Sequence, residues 1–247
     1  MPSILITGAS SGLGAEMARQ FADLGYDLAL CARRTDRLDS LRDEITAAHP
    51  SARVAVKALD VNDHDAVFRV FDEFAEELGG LDKVVVNAGL GKGQPLGTGR
   101  FDANLATAQT NFIGALAQTE AAAAIFRRQD AGQLVMVSSF SALRGMPKNI
   151  TTYAATKAAV AHLAEGFRAD VHGTPITVTV LYPGYIVSEM SGTSAKTPLM
   201  TSTERGVRSM VEAIEKGKTS AVVPAWPWVP LGFVVKRVPV GVLRRMS

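Results

Sequence analysis

The sequence predicts a single α/β domain, a doubly wound parallel sheet with helices on both faces. Three observations carry that expectation. Seven short apolar runs recur along 247 residues, longer amphipathic stretches separate them, and the runs are nearly continuous rather than alternating. Continuous β-branched runs suit strands covered on both faces, and strand–helix alternation suits a parallel sheet.

The runs are SILIT (3–7), DLALCA (27–32), RVAVKAL (53–59), KVVVNA (83–88), LVMVSS (134–139), ITVTVLY (176–182) and SAVVP (220–224). Helical patterns fall at 12–25, 35–48, 63–78, 101–129, 151–172 and 203–216. No repeat or linker interrupts the series, so 1–247 reads as one domain. Two loops at strand carboxyl ends stand out, 89–100 and 188–203, and ligands of open α/β sheets bind there. The second is expected to be a substrate loop. The GKG of the first is no phosphate loop, because no Ser or Thr follows its lysine.

A chain that is 47% hydrophobic and 20% charged can bury a large core and is not disordered. Its net charge of +2 gives no case for nucleic acid. The lone cysteine, Cys31, ends an apolar run and reads as a small buried hydrophobe, so neither a disulfide nor a cysteine zinc site is expected. Four isolated histidines (His49, His64, His162 and His172) give no metal site. Met1 passes directly into SILITG, which predicts mature structure and a cytoplasmic protein rather than a signal peptide. No run of about 20 apolar residues predicts a spanning helix.

TGASSGLG (7–14) follows the first strand and opens the first helix. Glycines there allow a tight turn and close approach of backbone N–H groups to a pyrophosphate. Further along come NAG (87–89), TNFIG (110–114), VSS (137–139), Tyr153-x-x-x-Lys157 and Pro183-Gly184. Tyr153 and Lys157 lie about 40° apart around a helix and one turn apart along it. In order and spacing these motifs resemble the short-chain dehydrogenase/reductase family in its form of about 250 residues, over positions 3 to about 190.

The resemblance implies a Rossmann-like NAD(P)-binding fold and an oxidoreductase with Tyr153, Lys157, Ser139 and Asn111 as its catalytic set. Tyr153 would be the general acid/base, and Lys157 would lower its pKa and hold the nicotinamide ribose. Ser139 would hydrogen-bond the substrate oxygen, with Ser141 as fallback and Ser138 facing the sheet's other side. The spacing from Ser139 to Tyr153 is one residue longer than usual, and that residue is placed in KNITT (148–152). Asn111 would act through a water linked to the lysine; the plainer alternative is a locally capped polar group in a helix. His162 points away from Tyr153.

The cofactor would lie on Gly8, Ser10, Ser11, Gly12, Leu13 and Gly14, with Asn87, Ala88 and Gly89 beneath the adenine ribose. Asp60 and Val61 would meet the adenine, unless Asp60 only caps the helix that follows. Pro183, Gly184, Ile186 and Ser188 would embrace the nicotinamide. Arg33 and Arg34 end the second strand where NAD-preferring relatives carry an acid, so NADP(H) is expected over NAD(H). Ser11 departs from the basic residue common before the middle glycine of NADP-using relatives.

The apolar tail 222–247 holds both tryptophans and four prolines. It covers a pocket or subunit contact, rests at a membrane surface through Trp226, Trp228, Lys236, Arg237, Arg244 and Arg245, or is plain core. Either of the first two uses implies an apolar substrate such as a fatty acyl, steroid or similar ketone. Alanine-rich stretches at 114–124 and 153–164 predict a homodimer or homotetramer. A rival reading, a silent nucleotide sensor of the same fold, would be expected to lose Tyr153 or Lys157. A sugar-nucleotide epimerase would carry a different glycine spacing and a longer carboxyl-terminal domain.

Overall fold

A computed structural model describes residues 1–189 and 199–243. Its sheet has seven strands, all parallel: β1 (Ser3–Thr7), β2 (Asp27–Ala32), β3 (Val54–Ala58), β4 (Lys83–Val86), β5 (Gly132–Val137), β6 (Ile176–Pro183) and β7 (Ser220–Val223). They lie in the order β3-β2-β1-β4-β5-β6-β7. The order reverses between β1 and β4, which opens a crevice at their carboxyl ends.

The helices are α1 (Gly12–Asp23), α2 (Thr35–Ala48), α3 (His64–Leu78), α4 (Phe101–Ala108), α5 (Gly114–Gln129), α6 (Thr151–Asp170), α7 (Thr203–Glu215), α8 (Ala225–Val235) and α9 (Val240–Leu243). Strand alternation divides the core. Leu134 and Met136 join the apolar layer under α3, α5 and α6; Val135 and Val137 join the layer under α1, α2 and α7. The central strands β1 and β2 are buried along their whole length, as their unbroken apolar runs require.

Capping explains several boundaries. Asp63, not Asp60, caps α3, accepting from Ala66 N at 3.0 Å, and Gly79 closes that helix in the left-handed region at φ 79°. Asp60 instead closes a local turn, accepting from Asn62 N at 3.0 Å.

One expectation needs correcting. The stretch 101–129 is not one α-helix: a π-helical turn, Gln109–Ile113, separates α4 from α5. Such a wider turn rotates the residues it carries and is often found at functional sites. The tail forms the short helices α8 and α9, and α8 contains Pro230. A small third core joins Trp228 and Val235 of this tail to Phe140. Arg244 and Arg245 lie outside the described residues, as does 190–198 of the expected substrate loop. Among the described residues no helix is long and apolar enough to cross a membrane.

Candidate active site

The first strand ends in a turn built around two glycines. Gly8 sits at φ 66°, where an L side chain is strained, and a Cβ on Gly14 would lie 2.4 Å from the Gly8 carbonyl oxygen. The first turn of α1 can therefore fold onto the strand end, leaving the helix N-terminus open to an anion. Asn87 fastens β4 to this turn: its Nδ2 donates to Thr7 O at 2.8 Å, while Asn87 N and Ala88 N both donate to Thr7 Oγ1 at 3.0 Å.

The turn forms one end of a cleft of about 970 Å³ along the carboxyl ends of the strands. The same cleft is lined by Arg33, Arg34, Asp60 and Val61 beyond the turn, and by Ser139, Tyr153, Lys157 and the Pro183–Ser188 stretch at the far end. Of the residues singled out from sequence, Asn111 lies just behind the wall: a Cβ on Gly89 would be 3.4 Å from both Asn111 Oδ1 and Lys157 Nζ.

At the far end, α6 presents Tyr153 and Lys157 side by side. Lys157 is buried and its Nζ donates to the Val137 carbonyl at 2.9 Å, with the ammonium 5.9 Å from the centre of the Tyr153 ring. Burial brings its pKa down to about 8. Burial also raises the Tyr153 pKa, and a hydrogen bond with Ser139 works in the opposite direction. The lowering of Tyr153 expected from Lys157 is therefore not seen in the chain alone. The ammonium donates to a strand-end carbonyl, and burial disfavours the phenolate.

The neighbouring serines divide their work. Ser139 Oγ accepts from Ser141 Oγ at 3.0 Å, so the fallback serine supports the first. Ser138 continues the Leu134–Met136 face and donates to the Lys157 carbonyl at 2.7 Å, binding the strand end to α6. His162 is exposed and bonds its own helix, at Ala158 O.

Asn111 emerges from the π-turn and clamps the loop that follows β4. It accepts from Leu90 N at 2.6 Å and donates to Leu90 O at 2.9 Å. Asn104, one helix earlier, repeats the device: it accepts from Gln94 N at 2.9 Å and donates to Gln94 O at 3.1 Å. The loop 89–100 is thus pinned at two points. Asn104 was missed in the sequence, although its seven-residue spacing from Asn111 places both on one helical face.

The two arginines differ. Arg33 is 69% exposed and, among the described residues, pairs with Asp60 alone, at 4.0 Å. Arg34 turns into the glycine turn, donating to Ser11 Oγ at 2.7 Å and to Ser10 Oγ at 3.2 Å. It also donates to Glu189 at 3.0 Å, and Arg37 from α2 donates to the other oxygen of the same carboxylate. These hydrogen bonds hold the Glu189 carboxyl down at about 2.

The tail supplies the last wall. Trp228 packs edge-on against Phe140 at 4.9 Å and Tyr185 at 5.1 Å between ring centres. A Cβ on Gly184 would lie 2.3 Å from its indole. Among the described residues, no cluster of His, Cys, Asp or Glu could hold a metal.

A model of the short-chain dehydrogenase family matches residues 2–199. The chain is 51% identical to an uncharacterised oxidoreductase of Mycobacterium tuberculosis, over 99% of this chain and 96% of the relative. Among solved structures it resembles an alcohol dehydrogenase of Thermococcus sibiricus complexed with 5-hydroxy-NADP, with 26% identity, a TM-score of 0.80, and coverage of 90% of this chain and 95% of that one. A short-chain dehydrogenase/reductase of Burkholderia phymatum in complex with NAD shares the fold, with a TM-score of 0.85 at 21% identity over 100% of this chain and 95% of that one. The chain belongs to the short-chain dehydrogenase family and is an oxidoreductase of the Rossmann-like type. The glycine cradle, the open helix N-terminus and the length of the cleft fit a nicotinamide dinucleotide.

Proposed function

We propose that this protein interconverts a carbonyl and a secondary alcohol, working mainly as an NADP(H)-dependent reductase on an apolar substrate. The observation that carries the reading is the convergence of Ser139, Tyr153 and Lys157 at one end of a cleft whose other end is the glycine turn with Arg34. When bound, the nicotinamide supplies or accepts the hydride. The chain's own groups handle the proton. Tyr153 Oη gives it to the carbonyl oxygen, and the Ser139 hydroxyl holds that oxygen in place. Lys157 holds the ribose hydroxyls, and its charge steadies the phenolate left after transfer. Asn111 positions the lysine's surroundings through the Leu90 backbone. Retention of both Tyr153 and Lys157 argues against a silent nucleotide sensor.

Arg34 supports NADP(H), because its guanidinium lies across the glycine turn where a 2′-phosphate would meet it. The apolar substrate rests on Phe140, Met146, Ile150 and Tyr185 lining the cleft beside Tyr153. Self-association rests on the outer face of α6, together with exposed Phe101, Leu105 and Ile113, because Ala115, Ala117, Ala121 and Ala122 of α5 are buried in the chain's own core.

The outward face of the tail bears Trp226 (79% exposed), Phe233, Val234 and Val240. After Glu215 the sequence has six Lys or Arg and no Asp or Glu, against 20 basic and 24 acidic side chains up to and including it. Exposed apolar side chains on a segment that also carries Lys236 and Arg237 suit an anionic membrane surface.

A panel of apolar ketones assayed for NADPH consumption tests the activity, with Tyr153→Phe as control. Turnover by the wild type and its loss in the variant, with NADPH binding nearly intact, is the expected pair of results. Near-wild-type kcat in the variant would overturn the assignment.

A further inference from the structure

Glu189 joins two parts of the cleft that lie 155 residues apart in the chain. It follows β6, yet its carboxylate sits over the glycine turn, with one oxygen on Arg34 and the other on Arg37. A Cβ on Gly12 would lie 3.3 Å from the side chain of its neighbour Ser188, so this segment rests directly on the turn. Arg34 already donates to Ser10 and Ser11, and Glu189 takes its remaining terminal nitrogen. One internal anion therefore holds the cations that an incoming phosphate monoester would need.

We propose that Glu189 is a specificity residue for the cofactor, an internal competitor that the 2′-phosphate must displace from Arg34 and Arg37. The proposal rests on the NADP(H) reading given above. A 2′-phosphate carries more charge than a carboxylate and offers more acceptor oxygens, so the exchange is favourable. It is discounted by the fraction of molecules in which Glu189 already occupies the arginines. A nucleotide with a free 2′-hydroxyl needs no exchange and meets no such discount. Glu189 thereby narrows the preference for NADPH over NADH, and Arg37 joins Arg34 as a phosphate-facing cation.

Removing the competitor should strengthen binding, the opposite of what loss of a cofactor contact would do. Two exposed ion pairs together predict about a two- to thirtyfold gain in NADPH affinity for Glu189→Gln. Affinity for NADH should change less than about twofold. Titration calorimetry on the full chain reads both, and adenosine 2′,5′-bisphosphate against 5′-AMP repeats the comparison without a nicotinamide. In an Arg34→Ala background the gain from Glu189→Gln should shrink, since the two residues act as a pair. A wild type that prefers NADPH, with an unchanged or lowered NADPH-to-NADH affinity ratio in Glu189→Gln, would overturn this proposal alone. A wild type that binds NADH as tightly as NADPH, with Arg34→Ala without effect on either, would overturn the NADP(H) reading and this proposal with it.

Discussion

Lys157 donates from Nζ to the carbonyl oxygen of Val137 at 2.9 Å, so the cation of the Tyr153–Lys157 pair is anchored to the end of β5. That bond explains how a buried ammonium is tolerated, but it does not remove the cost of burial. The pKa of Lys157 falls from 10.5 to about 8.

The sign of that shift makes a stability prediction. Between about pH 8 and 10.4 the unfolded chain keeps a proton on this lysine that the folded chain has lost, so stability should rise with pH across that window. Below about pH 8 the full cost remains, roughly 3 kcal/mol on this shift. Lys157→Met removes the charge and leaves the Val137 carbonyl without its partner, which costs about 1–3 kcal/mol. The variant should melt no lower than wild type at pH 7, and up to about 5 °C higher, while losing turnover and NADPH affinity. Calorimetric melting at pH 7 and pH 9.5 checks it; a Tm well below wild type at pH 7 would refute the account.

Arg33 and Arg34 looked equivalent in the sequence, and the fold separates them. Arg34→Ala should weaken NADPH binding about ten- to hundredfold with little effect on NADH, since one charge-assisted contact is worth roughly 1.5–3 kcal/mol. Arg33→Ala should cost less than about fivefold, because its guanidinium is mostly exposed and at the limit of pairing with Asp60. Fluorescence titrations with both nucleotides check the order. Equal losses from the two substitutions would contradict it.

The strands could be read from sequence because a doubly covered parallel sheet demands unbroken apolar runs. SILIT became β1 and DLALCA became β2 without a residue's change. Asp63, Ser202 and Gly79 stop or start helices through local chemistry that a sequence displays. What stayed hidden depends on side chains distant in sequence. Nothing near Glu189 says that it will reach Arg34, and nothing near Trp228 says that it will press on Gly184. The π-turn at Asn111 was hidden for a different reason: one extra residue in a turn leaves the apolar period of 101–129 almost unaltered. The ionisation of Tyr153 depends on burial and on where Lys157 points, which spacing alone does not fix.

Gly184 is held by contact rather than by dihedral freedom. A methyl group there would stand 2.3 Å from the Trp228 indole, which is fully packed against Phe140 and Tyr185. Gly184→Ala should therefore push α8 off the cleft wall and cost about 1–3 kcal/mol. Trp228→Leu opens the space, so the double variant should recover part of the loss that Gly184→Ala causes in cofactor affinity. Chemical denaturation and NADPH titration of the three variants measure this. Strictly additive losses would show that the two residues do not meet.

The outer face of α6 and the tail make separable predictions. Ala155, His162 and Gly166 on α6 are exposed, and a Cβ on Gly166 would meet nothing within 4 Å. Small side chains there let a second copy approach closely, and a closed two-fold pairing is the commonest assembly for soluble chains. Light scattering should give a dimer or tetramer of the 26.2 kDa chain at micromolar concentration. Gly166→Arg should yield monomer that still binds vesicles. The tail should do the reverse. Trp226→Ala with Phe233→Ser removes exposed apolar area while leaving the buried Trp228 in place, so assembly and NADPH binding should survive. Sedimentation with phosphatidylserine-containing vesicles should fall at least about fivefold, because each large apolar side chain inserted contributes more than 1 kcal/mol. Purely zwitterionic vesicles should bind weakly in every case, since the tail's cations have no counter-charge there. Wild-type protein that ignores anionic vesicles, or a tail variant that falls to monomer, would assign the exposed tail face to a second copy of the chain instead.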